Sequence, residues 1–220
     1  MTVVLTGTSL TLAELVRIAR GRERVELDRS VAERVRAGRA VVEHALESNE
    51  PVYGLNTGVG VRKRTRVEPA ELGEFNRRLI LEHRVGQGPL ASDDVVRAQL
   101  LLLTNGLARG TGGVRMALVE RALETLNDGP LPPVRSLGSI GMADLPANAD
   151  LAYGLLDGFD PAAKEGLTLL DHSAYSTALA AHSLEDRSSA SRWRGLSSAI
   201  RASSCSTSPT RISTRRGSWL

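Results

Sequence analysis

The sequence predicts a mostly α-helical protein. Apolar residues recur at helical spacing through much of residues 1–186. Recognisable helix starts and stops bracket those stretches, and alternating runs of strand length are scarce. Ser30-Val31-Ala32-Glu33 reads as a capping box, with the serine oxygen taking a free helix-start N–H and the glutamate reaching back. Behind it Val31, Val35, Val42, Ala45 and Leu46 keep the helical period, with Arg34, Arg36, Arg39 and Glu43 between them. Pro51 closes that run, because its ring restricts the residue before it. Ser92-Asp93-Asp94 marks a second start, leading through Val95, Val96, Leu100 and Leu103 with acids at the favourable end of the dipole. Val114, Leu118, Ala122 and Leu126 form a stripe that stops at Asn127-Asp128-Gly129-Pro130. Two further helices are expected, from about Asn148 to Leu156 and from about Ser173 to Ser183. Extended pieces are limited to Pro51-Val52-Tyr53 and Val134-Arg135.

Composition excludes several function classes. The 220 residues are 41% hydrophobic and 24% charged, as in ordinary globular proteins. No run approaches the roughly 18 apolar residues of a membrane span, and Met1-Thr2-Val3-Val4-Leu5 has no secretory pattern, so a cytoplasmic protein is expected. One cysteine, Cys205, can form neither an intrachain disulfide nor a cysteine-based zinc site. His44, His83, His172 and His182 lack metal-ligand spacing, so no metal is expected. Aromatics at 3% argue against a stacking platform for single-stranded nucleic acid. Gly106–Gly113 lacks the Gly-Lys-Ser/Thr ending of a phosphate loop and reads as a connection between helices.

The charge is unevenly placed. Residues 187–220 hold 7 Arg, 11 Ser and no acid, so the net +3 of the chain leaves residues 1–186 at −4. The chain therefore divides into a helical domain, 1–186, and an Arg/Ser-rich tail, 187–220. The tail fits either a natural basic arm that binds acidic partners or out-of-frame translation of a GC-rich gene. The ratio of 26 Arg to 2 Lys favours the second reading, and nucleic acid is not an expected partner.

Two glycine-rich segments carry the chemistry. Tyr53-Gly54-Leu55-Asn56-Thr57-Gly58-Val59-Gly60 is too glycine-rich for a helix and makes a loop that brings a phenol close to a ligand. Such a phenol serves as a general base when its ionised form is stabilised, and a tight turn with a packed tyrosine is the plainer alternative. Gly138-Ser139-Ile140-Gly141-Met142-Ala143-Asp144-Leu145-Pro146 is a loop that delivers backbone N–H groups toward a helix start.

In this order, these segments resemble the histidine, phenylalanine and tyrosine ammonia-lyases and the related aminomutases. Tyr53–Gly60 is similar to their Tyr-Gly-x-Asn-Thr-Gly-x-Gly loop. Leu79-Ile80-Leu81-Glu82-His83 with Gly86 and Gly88-Pro89-Leu90 is similar to their second segment. Val95–Ala98, Asn105–Gly110 and Gly113-Val114-Arg115 resemble their helix pair. Gly138–Gly141 is similar to the start of their catalytic loop, and Lys164-Glu165-Gly166-Leu167 and Ser176–Ala181 to the segment after that loop. The resemblance covers roughly residues 5–182 and implies a helical homotetramer whose sites combine loops of different subunits. The implied reaction removes ammonia from an aromatic or related α-amino acid to give an unsaturated acid. Tyr53 would take the β-proton, His83 would lie near the substrate side chain, and Asn56, Gly60 and Asp171 would contribute to binding.

The departures from the family pattern set further expectations. The family's electrophile, a methylidene-imidazolone, is made from an Ala-Ser-Gly tripeptide within Gly-Ala-Ser-Gly-Asp-Leu. Here Gly141-Met142-Ala143-Asp144-Leu145 is one residue short and has no Ser-Gly pair, so this cofactor is not expected to form. Asp171-His172 stands where the family has Asn-Gly, either as a new acid–base pair or as polar residues at a helix start. Asn148 and Asp150 also replace mostly apolar positions, to line a pocket or cap a helix. Family members exceed twice this length, so the chain is expected to be truncated, to expose helix faces meant for the rest, and to turn over little or no substrate. An elimination or proton transfer without the ring, using Tyr53 with Asp144 or Asp171, is the alternative, and a non-catalytic partner of an intact lyase is the next.

Overall fold

The computed structural model describes residues 2–48 and 50–188. The chain divides into two units, Met1–Glu185 and Asp186–Leu220. The Arg/Ser-rich stretch 189–220 lies outside the described residues.

The first unit opens with two short strands that the sequence reading omits. Strand β1 (Thr2–Leu5) pairs in parallel with β2 (Arg24–Leu27), in the register Thr2 to Arg24 and Leu5 to Leu27, with α1 (Leu12–Gly21) between them. Each strand has four residues, too few for its alternation to stand out in sequence. Helix α1 carries the capping box that the sequence placed elsewhere. Thr11 accepts the Glu14 N–H, and the Glu14 carboxylate accepts the Thr11 N–H. Helix α2 (Val31–Glu47) begins where expected, but Ser30 does not cap it. The Ser30 hydroxyl donates to the Asp28 carboxylate, a charge-assisted bond that outcompetes capping.

Helices α3 (Leu72–Glu82), α4 (Asp93–Leu107) and α5 (Met116–Asn127) follow. Strands β3 (Gln87–Leu90) and β4 (Arg135–Leu137) form an antiparallel ribbon. Val134 thus precedes a strand that Arg135 begins, whereas residues 51–53 are not extended into one. Helix α6 (Leu145–Leu155) starts three residues before the expected Asn148, with Pro146 in its first turn. The six-residue α7 (Glu165–Leu170) and the long α8 (Ala174–Ser188) complete the order.

Helix α4 is the axis of the core and packs against α1 and α5. Val96, Ala98, Leu100, Leu101, Leu103 and Leu107 are buried on it, together with the polar Arg97, Gln99 and Thr104. The stripe read in α5 is fully internal, with Val114, Leu118, Ala122 and Leu126 all at 2% exposure or less. Arg97 has no buried acid beside it. Its guanidinium donates instead to the Ile18 and Leu126 carbonyls, which lie at the carboxyl ends of α1 and α5. A smaller apolar cluster of Val42, Leu55, Leu72 and Ala163 lies under the tyrosine loop.

No helix among the described residues is long and apolar enough to cross a membrane. None of their His, Cys, Asp and Glu side chains form a group able to hold a metal. The capping geometry separates two similar motifs. Thr11→Ala is expected to cost about 1 kcal/mol in urea unfolding, whereas Ser30→Ala, at an exposed side chain outside any cap, should stay within about 0.5 kcal/mol.

Candidate functional site

The loop around Tyr53 is folded by its own asparagine. The Asn56 amide donates to the Glu50 carbonyl at 2.8 Å and accepts the Val52 N–H at 2.8 Å. Backbone bonds from Gly58 to Thr65 and from Val67 to Asn56 tie the loop to the segment behind it. Gly54, at φ +65°, has its hydrogen where a Cβ would strike the Leu167 side chain of α7, so only glycine fits there. Residues 54–58 are all buried, while Tyr53 is 52% exposed. The phenol oxygen accepts one hydrogen bond, from the Gly60 N–H at 3.1 Å. Gly60 itself is in the left-handed region at φ +57°.

His83 closes α3, a helix packed on both α6 and α7. Its Nδ1 lies 2.7 Å from the Leu79 carbonyl, which can only accept. Nδ1 therefore carries a proton, and Nε2 makes no hydrogen bond among the described residues.

The loop at residues 138–144 has a fixed end and an exposed tip. Asp144 is 2% exposed. Its carboxylate accepts the Ser176 N–H at 2.8 Å, the Ser176 hydroxyl at 2.9 Å and the Ser139 hydroxyl at 3.0 Å. Ser176 lies in the first turn of α8, so Asp144 caps that helix from a distance. The Asp144 N–H donates to the His172 carbonyl at 3.0 Å. Between this anchor and Gly141, Met142 is exposed and Ala143 is forced to φ +55°.

Helix α7 connects these pieces. Leu167 abuts the tyrosine loop, and residues 170–172 receive α6. The buried Asn148 amide donates to the Leu170 and His172 carbonyls at 2.9 and 2.6 Å and accepts from Gln99. Asn148 is therefore a structural bridge. Asp150 is one too, accepting from the Arg84 side chain and the Arg135 N–H, with Arg84 stacked 3.8 Å over the Tyr153 ring. Asp171 ends α7 with its side chain exposed. No hydrogen bond joins Tyr53, His83, Asp144 or Asp171 to one another.

Sequence reasoning gives no role to the group that fixes α7 in place. Glu165 is fully buried and accepts from the Arg115 backbone, the Arg115 guanidinium and the Ala162 N–H. The signal is present in the two family-like segments Gly113-Val114-Arg115 and Lys164-Glu165-Gly166-Leu167, and this pair is where they meet. Lys164, just before it, is held at φ +79°, and burial lowers its pKa against the opposing pull of Asp171.

Comparison with known proteins places this arrangement. Residues 10–159 match the family model for aromatic amino acid lyases. A histidine ammonia-lyase of Deinococcus radiodurans is 34% identical over 201 residues, covering 80% of this chain and 38% of that protein. The chain thus spans less than half the length of the curated relatives it matches. Among solved structures, an ergothioneine-degrading enzyme of Treponema denticola, in complex with desmethyl-ergothioneine sulfonic acid, superposes with a TM-score of 0.80 at 26% identity. That match covers 86% of this chain and 42% of the other. Histidine ammonia-lyase from Trypanosoma cruzi gives 0.75 at 27% identity, over 84% and 41% of the two chains.

His172 sets a pH dependence for this region. Its Nε2 donates to the Leu169 carbonyl and its Nδ1 accepts the Ala174 N–H, the pattern of a neutral ring. Burial pulls its pKa down to about 4 from 6.5. The unfolded chain therefore binds more protons between those values. Stability is full above pH 6.5 and falls by up to about 3 kcal/mol as pH drops to 4. His172→Gln is expected to flatten the urea midpoint across that window, and an unchanged slope would locate the titration elsewhere.

Proposed function

Because the chain belongs to the aromatic amino acid lyase family, we propose that it is the amino-terminal part of a carbon–nitrogen lyase. By kinship that lyase removes ammonia from an aromatic or related α-amino acid. The observation that carries this reading is the tyrosine loop. Five successive residues are buried there, and one phenol is left exposed with a backbone N–H directed at its oxygen. As phenolate, that oxygen takes a proton from the carbon β to the substrate nitrogen. The freed electron pair forms the double bond as the carbon–nitrogen bond breaks and ammonia leaves. His83, with Nε2 unspent, supports the reading as a hydrogen-bond acceptor beside the substrate side chain. A homotetramer, with the site completed by other subunits and by the part of the lyase fold beyond this chain, belongs to the same proposal, as does cytoplasmic location.

A second reading is favoured by the loop 138–145, which has no Ser-Gly pair. In it the same base acts on a substrate whose leaving group departs without activation by an electrophile. Ergothioneine, the compound degraded by the Treponema denticola enzyme that this chain resembles, is the first substrate to assay under that reading.

Purified chain incubated with histidine, tyrosine or phenylalanine is expected to form no unsaturated acid above the blank by ultraviolet absorbance. A chimera tests the base directly. Residues 1–182 would be joined to the remaining length of the Deinococcus radiodurans relative, with Met142-Ala143→Ala-Ser-Gly. Such a chimera, once shown to be helical and assembled, should form the unsaturated acid. Tyr53→Phe in it should lower the rate by about 100-fold or more. A folded chimera indifferent to Tyr53→Phe would remove the tyrosine from the mechanism.

A further inference from the structure

We propose that the loop 138–145 never closes into a ring and serves as a strap, pinned by Asp144 to the start of α8. Ring formation in this family needs three consecutive residues. The nitrogen of the third attacks the carbonyl carbon of the first, one water leaves as that C–N bond becomes part of the ring, and the central serine loses a second water to become the methylidene. The residues present do not fit this chemistry. Between Gly141 and Asp144 stand only Met142 and Ala143, so every triple drawn there has a centre without a hydroxyl to expel.

One triple in the loop does centre on a serine, Gly138-Ser139-Ile140, and it fails for a different reason. Its attacking nitrogen belongs to Ile140, whose branched Cβ crowds the approach that an unsubstituted glycine leaves open. Its hydroxyl is also spent, donating to the Asp144 carboxylate at 3.0 Å. At the other end of the loop, the Asp144 nitrogen donates to His172 and is buried.

The geometry also shows how the shorter loop is accommodated. Asp144 is fixed by hydrogen bonds to Ser176 and His172, in two other segments, and by one to Ser139 at the loop's own start. Two residues must span the gap back to Gly141, and Ala143 adopts the left-handed region at φ +55° to do so, with Gly141 at φ +90°. The tip is left exposed with Ile140 and Met142 outward. What remains is a turn with a firm base and no electrophile.

The test is a mass measurement on the whole protein. Trypsin releases Ser136–Lys164, which contains every candidate triple. The peptide is expected at its full residue mass, and borohydride treatment of the intact chain should leave that mass unchanged. A peptide lighter by one or two waters, or one that takes up hydride, would overturn the proposal. In Met142-Ala143→Ala-Ser-Gly the same peptide should become lighter by two waters. That loop staying at full mass would equally overturn the proposal, because the missing residues would then not be what prevents closure. These masses report on the loop alone and are independent of the activity assay.

Discussion

Helices that end inside a protein leave backbone groups that must find partners, and this constraint organises the whole first unit. The carboxyl ends of α1 and α5 share Arg97, which reaches both from α4. The start of α5 and the turn before α7 share Glu165. Asn76, itself buried on α3, accepts the Gly166 N–H in the first turn of α7. Asn148 takes the carbonyls at the far end of α7, and Asp144 takes the N–H in the first turn of α8. Apart from the local Ala162–Glu165 bond, each partner is distant in sequence, so each such bond fixes topology as well as satisfying a helix end. Leaving such a group unpaired costs about 1–3 kcal/mol, which is why these polar side chains lie in a core made mainly of Leu, Val and Ala.

This accounting separates structural polar groups from available ones. Asp144, Asn148, Asp150, Glu165 and His172 have their polar atoms committed to backbone or to each other's segments. Every carboxylate oxygen, amide atom and ring nitrogen among them has a partner. Tyr53 and His83 differ. The phenol oxygen accepts a single N–H, and the imidazole commits Nδ1 to the Leu79 carbonyl and leaves Nε2 without a hydrogen bond. Under the proposed lyase reading, Tyr53 and His83 are therefore the groups left to meet a substrate. The short α7 matters because Leu167 on it abuts the tyrosine loop and His172 just after it holds the base of the 138–144 loop.

Helices α2, α4, α5, α6 and α8 were legible because periodicity is local, whereas α1, α3 and α7 were not read; α5 is the clearest case, with every residue of the read stripe, from Val114 just before it to Leu126, internal. What was illegible depended on distance. Ser30 and Thr11 carry equivalent capping signatures, yet Thr11 caps α1 while the Ser30 hydroxyl is taken up by Asp28 and Arg34. The pair β1–β2 exists because residues 2–5 and 24–27 meet across α1, and so short a strand carries too little pattern to announce it. Asp171-His172 reads from adjacency either as an acid–base pair or as polar residues at a helix start. In three dimensions the aspartate faces solvent and the histidine turns its nitrogens to the ends of α7 and α8. Tyr53 was legible for its residue type and loop chemistry, but the role of Asn56 in building that loop was not, since its partners are backbone atoms that sequence does not name.

The same separation explains how a family fold can persist where its catalytic loop is altered. The ends of that loop are set by contacts that do not depend on its length: Gly138 lies against Pro146, and Asp144 is held by Ser176 and His172. Removing one residue between fixed ends strains the backbone of Ala143, at a cost of about 1–2 kcal/mol, and leaves the core untouched. A substitution at Glu165 would instead leave the Arg115 and Ala162 N–H groups without their acceptor, and one at Arg97 would leave the Ile18 and Leu126 carbonyls without their donor, which threatens the fold itself. The fold therefore depends on the helix-end partners far more than on the exposed tip at residues 140–142. The fold is kept by the first set, so a shared fold cannot be read as proof of a shared reaction.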